Sequence, residues 1–169
     1  MADFEVREAQ PEDGPAIRQL VFTVLKEYGL QSDPEGTDQD IQDTTSSYMK
    51  RGGTFRVIVN PAGQILGCGG LYPLQPGEAE IRKMYLVPSV RGLGLGKRML
   101  RGLLEFGAAQ GIDTVSLETA SVLKEAIGLY RSFGFEPACR GHLASRCDQA
   151  FVLTELRQRL YTGKNRPTV

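Results

Sequence analysis

Residues Arg91-Gly92-Leu93-Gly94-Leu95-Gly96-Lys97 place glycine at every second position between a strand-like run and a helix-like run. The preceding run, Ile81-Arg82-Lys83-Met84-Tyr85-Leu86-Val87, is closed by Pro88. The following run carries apolar pairs at 99/100 and 103/104, with Phe106 continuing the stripe. That spacing is helical. The first turn of a helix leaves backbone N–H groups unpaired, and glycines let an anion approach them closely. Strand, glycine turn and helix in this order predict a cradle for a phosphate or pyrophosphate.

Register separates the familiar anion-binding loops. A P-loop requires Gly, four residues, Gly-Lys, then Ser or Thr. Here Gly96-Lys97 fits, but Arg91 stands at the first glycine and Arg98 at the hydroxyl position. The dinucleotide fingerprint Gly-x-Gly-x-x-Gly fails because Lys97 follows Gly92 and Gly94 where the third glycine belongs. What remains is Arg-x-x-Gly-x-Gly, formed by Arg91, Gly94 and Gly96.

Periodicity divides the rest of the chain. Phe4-Glu5-Val6-Arg7-Glu8 alternates as an edge strand, and residues 13–28 form an amphipathic helix stopping at Gly29. Residues 38–51 read as a weaker second helix closed by Gly52-Gly53. Two strands, 54–59 and 63–72, bracket Asn60-Pro61-Ala62-Gly63 as a hairpin. A fourth strand spans 79–87, a third helix runs from the glycine loop to about Gln110, and a fifth strand covers 114–119. A fourth helix over 122–133 and strands beginning at Phe135 and covering 149–156 follow, with a basic, frayed tail expected from Arg157. Periodicity alone licenses a mixed α/β chain with one central sheet.

The Arg-x-x-Gly-x-Gly loop, preceded by Tyr85-Leu86-Val87-Pro88, resembles the acyl-CoA pyrophosphate loop of the GNAT acetyltransferase superfamily. A second block, Ala126-Ile127-Gly128-Leu129-Tyr130-Arg131-Ser132-Phe133-Gly134-Phe135, resembles the late helix and following strand of the same superfamily. The resemblance covers roughly residues 4–156. It implies a single N-acetyltransferase domain over 1–169, of mixed α/β (α+β) class. Its sheet would be central, mostly antiparallel and seven-stranded, flanked by about four helices, with 157–169 as a basic tail.

The resemblance also implies a site. The fourth and fifth strands part, and pantetheine enters between them, bonded by backbone groups at Met84, Tyr85 and Leu86. The N–H groups of Arg91, Gly92, Leu93, Gly94, Leu95, Gly96 and Lys97 hold the pyrophosphate, with Arg91 and Lys97 as added charge. Tyr130 is the implied general acid; its other reading is a core aromatic beside Ile127 and Phe133. The base is open among Glu80, Glu78, Glu118 and bulk water, with Glu80 favoured. One departure stands out: Leu123 occupies a position where many relatives have a cofactor-contacting asparagine, so Ser121 or Lys124 is left to substitute. Segments 28–55 and 137–150 belong to neither block and should line the acceptor side, where Tyr28, Tyr48 and Phe55 are candidates for wall or core.

Composition narrows the partners. The chain has 169 residues and no net charge, which argues against a general nucleic-acid binder. Residues 1–50 hold eleven acidic and four basic residues, whereas 82–105 hold six basic and one acidic, which suits a polyphosphate at the glycine loop. The acidic group Asp33, Glu35, Asp38, Asp40 and Asp43 reads as a solvated loop or, more sharply, as a rim attracting a cationic amine. Cys68, Cys139 and Cys147 are widely spaced, and Cys139, His142 and Cys147 match no common structural zinc spacing, so no metal is expected. No run approaches the about 20 apolar residues of a membrane span, and Met1-Ala2-Asp3-Phe4-Glu5 is unlike a signal peptide, so a cytoplasmic location is expected.

Two functions follow as expectations. The first is an acetyl-CoA-dependent N-acetyltransferase acting on a small-molecule or peptide amine, as monomer or homodimer. The second is a non-catalytic acyl-CoA-binding or sensing module on the same fold. A nucleotide kinase is disfavoured by the missing magnesium ligands.

Overall fold

In a computed structural model, residues 3–162 are described. They build one seven-stranded sheet in the order β1-β2-β3-β4-β5-β7-β6. Strand β1 is Glu5–Glu8, β2 Thr54–Val59, β3 Ile65–Pro73, β4 Glu78–Leu86, β5 Thr114–Thr119, β6 Glu136–Pro137 and β7 Gln149–Leu153. All neighbours are antiparallel except β4 and β5. The mixed α/β, mostly antiparallel sheet expected from the resemblance is the observed one.

Alternating side chains build a core on each face of the sheet. Phe55, Val57 and Val59 of β2 pack with Ile17, Leu20, Val21, Val24 and Leu25 of α1 (Gly14–Glu27). Ile58, one residue out of phase, joins the opposite face with Met99, Leu100, Leu103 and Leu104 of α3 (Leu95–Ala109). Tyr130 and Phe133, from α4 (Lys124–Ser132) and its end, close that second core. Each fully buried Leu or Ile contributes ~1.5–3 kcal/mol.

Three elements differ from the sequence expectation. The helix read over 38–51 is broken into a 3-10 turn Gln39–Ile41, the single turn α2 (Thr44–Ser47) and a 3-10 turn Met49–Arg51. Thr-Thr-Ser-Ser is a poor helix interior because its hydroxyls compete for backbone bonds. Asp43 is extended and caps the start of α2, its side chain accepting Ser46 N–H at 3.0 Å, which separates that turn from the one before it. The sixth strand shrinks to two residues at the sheet edge, where Pro137 lacks a donor for continued pairing. The seventh ends at Leu153, and the expected frayed tail instead begins with α5 (Leu156–Tyr161), whose Leu156 is fully buried. Residues 163–169, the remainder of the tail, lie outside the described residues.

Two irregularities open the sheet. Between Cys68↔Tyr85 and Gly70↔Arg82, β4 advances three residues while β3 advances two. The extra residue makes a β-bulge, with Lys83 in the left-handed region at φ 54°. On the other side, β4 pairs with β5 only from Glu78↔Thr114 to Ile81↔Leu117. Beyond Ile81 the two parallel strands separate, leaving a cleft at their carboxyl ends, where open sheets commonly bind ligands.

Candidate active site

The cleft widens into a cavity of about 1020 Å³. At one end lies the glycine loop. Gly92 and Gly94 both adopt φ 77°, a conformation costly for any residue with a Cβ, and Gly94 caps α3. The first bond closing α3 runs from Arg98 N to Gly94 O at 3.0 Å. The backbone N–H groups of Gly92 to Lys97 find no acceptor among the described residues. They sit at the positive end of the fifteen-residue helix α3.

The side chains of this loop divide in function. Gly92, Gly94, Gly96 and Lys97 line the cavity, and the Lys97 ammonium has no ion-pair partner among the described residues. Leu93 projects outward and Leu95 inserts into the core, so these two offer the cavity only backbone. Arg91 lines it too, but its guanidinium is committed elsewhere. It pairs with Glu27 at 2.5 and 2.9 Å and donates to Leu86 O at 3.0 and 2.8 Å. Arg91 therefore braces the end of β4 against α1, and Leu86 O is already engaged. Met84 and Tyr85 also line the cavity, on the stretch of β4 that β5 leaves unpaired.

Midway along the cavity sit two tyrosines and a cysteine, Tyr85, Tyr130 and Cys147. Tyr130 is 5% exposed and stacks edge-on against Phe135 at 5.8 Å, while its hydroxyl bonds to no described residue. It is both a core aromatic and a cavity-lining residue. Burial, helped by neighbouring Tyr85, pushes its hydroxyl well above the ordinary tyrosine range. Burial likewise pushes Tyr85 up to about 12 and, with Glu118 second, Cys147 up to about 11.

The far end is built from charged side chains in pairs. Glu80 Oε1 accepts Arg82 Nε at 2.7 Å, and Oε2 accepts Arg140 Nη1 at 3.1 Å. Arg140 also reaches Glu118 at 3.3 Å and Ser116 Oγ at 2.6 Å, and Glu118 accepts Ala144 N–H at 3.2 Å. Two of the three candidate carboxylates thus converge on Arg140. The third, Glu78, lies outside the cavity and bonds Gln75 at 3.0 Å across the β3–β4 turn.

A second cluster adjoins them, with Thr37, Asp40, Lys83 and Arg146 also on the cavity lining. Lys83 Nζ bonds Thr37 O at 2.9 Å and Asp40 at 3.2 Å, and lies 3.4 Å from Asp38. Tyr48, fully buried, donates to Asp40, and Arg146 grips Asp38 at 2.6 and 2.8 Å. Asp38 is therefore a structural anchor and not part of a solvated loop, while Asp40 is held by Lys83 and Tyr48 and also lines the cavity. Tyr48 and Phe55 are core, both 0% exposed, and Gly70 is required beneath them because a Cβ there would meet Tyr48 at 2.6 Å. Tyr28 lines the cavity.

Leu123, at the N-cap of α4, lines the cavity with an apolar side chain. Ser121 is not free to replace the missing asparagine, since its N–H and hydroxyl both bond Asp148 at 2.7 Å. Lys124 lies on the surface away from the lining. Among the described residues no group of three or more His, Cys, Asp or Glu is arranged to hold a metal ion, and no helix is long and apolar enough to cross a membrane. Sequence reasoning missed Arg51, Arg82, Arg140 and Arg146; their spacing along the chain carries no motif.

A sheet parted at the carboxyl ends of its parallel strands, with a row of unpaired N–H groups at one end and a polar chamber at the other, has the architecture of an acyltransferase. The chain belongs to the Acetyltransferase (GNAT) family, whose model matches residues 19–135. It is 35% identical over 142 residues to the uncharacterized N-acetyltransferase YjgM of Escherichia coli K12, covering 78% of this chain and 84% of that protein. A GNAT-family acetyltransferase from Staphylococcus aureus Mu50 superposes with a TM-score of 0.85 at 20% identity, over 90% of this chain and 99% of that one. The phosphinothricin acetyltransferase of Sinorhizobium meliloti, solved in complex with AcCoA, superposes at 0.72 and 18% identity, over 90% of this chain and 88% of that one.

Proposed function

We propose that the chain is an N-acetyltransferase moving an acetyl group from acetyl-CoA to the amine of a small molecule or peptide by direct transfer. The observation that carries this is the continuity of one cavity from the unpaired N–H groups of the glycine loop, past the Tyr130 hydroxyl, to the chamber of Glu80 and Glu118. The S. meliloti neighbour was solved in complex with AcCoA, and the groups present here suit such a ligand. Six N–H donors and Lys97 suit a pyrophosphate, and the unpaired edge of β4 at Met84 and Tyr85 suits pantetheine amides.

Acetyl-CoA supplies a thioester whose carbonyl carbon is open to an amine. As the C–N bond forms and the C–S bond breaks, Tyr130 hydrogen-bonds the departing sulfur and yields its proton to it. Its raised pKa keeps that proton in place across the neutral range. Glu80, which keeps lone pairs beyond its two arginine contacts, receives the amine proton directly or through water. A general acid or base of this kind contributes ~10²–10⁴-fold. Direct transfer is favoured over an acyl-cysteine relay because the Cys147 thiol, pushed up to about 11, is a poor nucleophile at neutral pH.

The test is release of free CoA thiol from acetyl-CoA over amines, amino acids, aminoglycosides and peptides, with Tyr130→Phe alongside. We expect a ~10²-fold or greater fall in kcat with little change in acetyl-CoA KM. Tight CoA binding without transfer to any acceptor would replace this reading with the non-catalytic sensor.

A further inference from the structure

The acceptor chamber has one more positive charge than its own carboxylates balance. Asp40 is held by Lys83 and Tyr48, and Asp38 by Arg146 and Lys83. Glu80 is held by Arg82 and Arg140, and Glu118 by Arg140. Every acidic group at this end therefore already has a cationic partner. Arg51 is the exception among the cations: it lines the cavity and is exposed, yet makes no hydrogen bond or ion pair with any described residue.

Arg51 is also positioned. Its backbone N–H bonds Tyr48 O at 3.1 Å, so it rises from a fully buried residue. Its guanidinium carbon stands 5.4 Å from the centre of the Tyr72 ring, and that of Arg82 stands 3.8 Å from the same centre. Arg82 uses only Nε on Glu80, and its two terminal nitrogens have no partner among the described residues. One tyrosine thus carries two guanidinium groups whose outer donors are open to the cavity.

We propose that the acetyl acceptor bears a carboxylate, held by Arg51 and the outer nitrogens of Arg82 above Tyr72, so that the substrate class is an amino-acid-like amine. The inference rests on the N-acetyltransferase reading for its chemistry but not for its binding geometry. Planar guanidinium forks match the two oxygens of a carboxylate, which a single ammonium does not. Because Arg82 is anchored on Glu80, a carboxylate held there sits close to the group that receives the amine proton. An amine only a few bonds from its carboxylate fits that spacing.

The experiment has two arms. In the first, N-acetyl glycine, leucine, methionine, phenylalanine and glutamate and their primary amides are titrated calorimetrically into the full chain saturated with CoA. We expect at least one acid to bind ~10-fold or more tightly than its amide, as for charge-assisted hydrogen bonds. The preference should vanish in Arg51→Ala and be partly kept in Arg51→Lys, and the exposed position of Arg51 leaves folding intact. In the second, thiol release is followed with free amino acids and amino-acid amides. Arg51→Ala should raise KM for the acid ~10–100-fold with kcat within about twofold, and leave the amide unaffected. Equal binding of acids and amides overturns the proposal, as does an Arg51→Ala effect equal on both. Preferential acid binding without any transfer leaves the carboxylate site standing and removes the enzyme reading instead.

Discussion

Asp38 and Arg146, 108 residues apart in sequence, meet in a two-bond ion pair at 2.6 and 2.8 Å, with Asp38 wholly shielded from solvent. The pair fastens the loop before α2 to the loop between β6 and β7, two segments that both line the cavity. Lys83 adds the third side, because the bulge in β4 turns its side chain onto Asp38 and Asp40. A strand irregularity thus also supplies the cation that fixes the walls of the cavity.

Removing one partner should expose the energetic cost of this arrangement. Asp38→Asn leaves Arg146 and Lys83 without a charge partner and should cost about 3–5 kcal/mol at neutral pH, read from denaturant unfolding. The pH dependence has a definite sign. Burial alone would raise the Asp38 carboxyl, but the bonds from Arg146 and the Asp33 N–H outweigh it and hold the folded pKa below the ordinary 3.8. A lowered folded pKa adds stability above the unfolded value and loses it as pH falls through the folded one. The advantage over Asp38→Asn should be full above about pH 5 and shrink below about pH 4. An advantage unchanged at about pH 2 would contradict the pairing.

Gly94→Ala tests the donor end. At φ 77° an alanine costs about 1–2 kcal/mol, although a Cβ there meets no atom within 4 Å. The unfolding midpoint should drop accordingly. The loop should relax to relieve the strain, so that its N–H groups move and CoA affinity falls by ~10-fold for each 1.4 kcal/mol lost. Calorimetric CoA affinity equal to wild type in a destabilised Gly94→Ala would show that the loop does not hold the pyrophosphate.

The fold was readable where local pattern and tertiary need agree. The alternation of β2, the glycine loop and the stripe of α3 all reported their final structure. The stretch 38–51 was not, because its acidic and hydroxyl residues look solvated in sequence while Asp38, Asp40 and Tyr48 are drawn inward by Lys83 and Arg146, partners far along the chain. The same cause hid the charged end of the cavity: Arg51, Arg82 and Arg140 come from three separate segments, and only folding brings them around Glu80, Glu118 and Tyr72. Arg91 looked like a phosphate ligand by motif, yet Glu27 and Leu86 O, invisible to the motif, hold its guanidinium.

The three candidate carboxylates should separate kinetically. Glu80→Gln keeps an acceptor for Arg82 and should lower kcat ~10²-fold. Glu78→Gln, outside the cavity and bonded to Gln75, should change kcat less than twofold (about the scatter of such assays). Glu118→Gln should weaken the hold on Arg140 and the Ala144 N–H, acting mainly on KM for the acceptor. A loss of kcat in Glu118→Gln with Glu80→Gln near wild type would transfer the proton-accepting role to Glu118.

Thiol labelling tests both the cavity wall and the direct-transfer step. Cys139 is exposed, Cys147 is half-buried in the cavity wall and Cys68 is fully buried. Iodoacetamide reacts with thiolate, and the Cys147 thiol is pushed up to about 11, chiefly by burial. At about pH 7.5 Cys139 should be alkylated first, and the Cys147 rate should climb steadily as pH rises towards the raised value, while Cys68 stays unmodified. Saturating CoA should slow Cys147 and not Cys139, because only Cys147 lines the cavity. Peptide mass analysis reads each site separately. Cys147 labelling at about pH 7.5 as fast as Cys139 would mean an activated thiol facing the acyl donor, and would turn the reaction from direct transfer to a relay through sulfur.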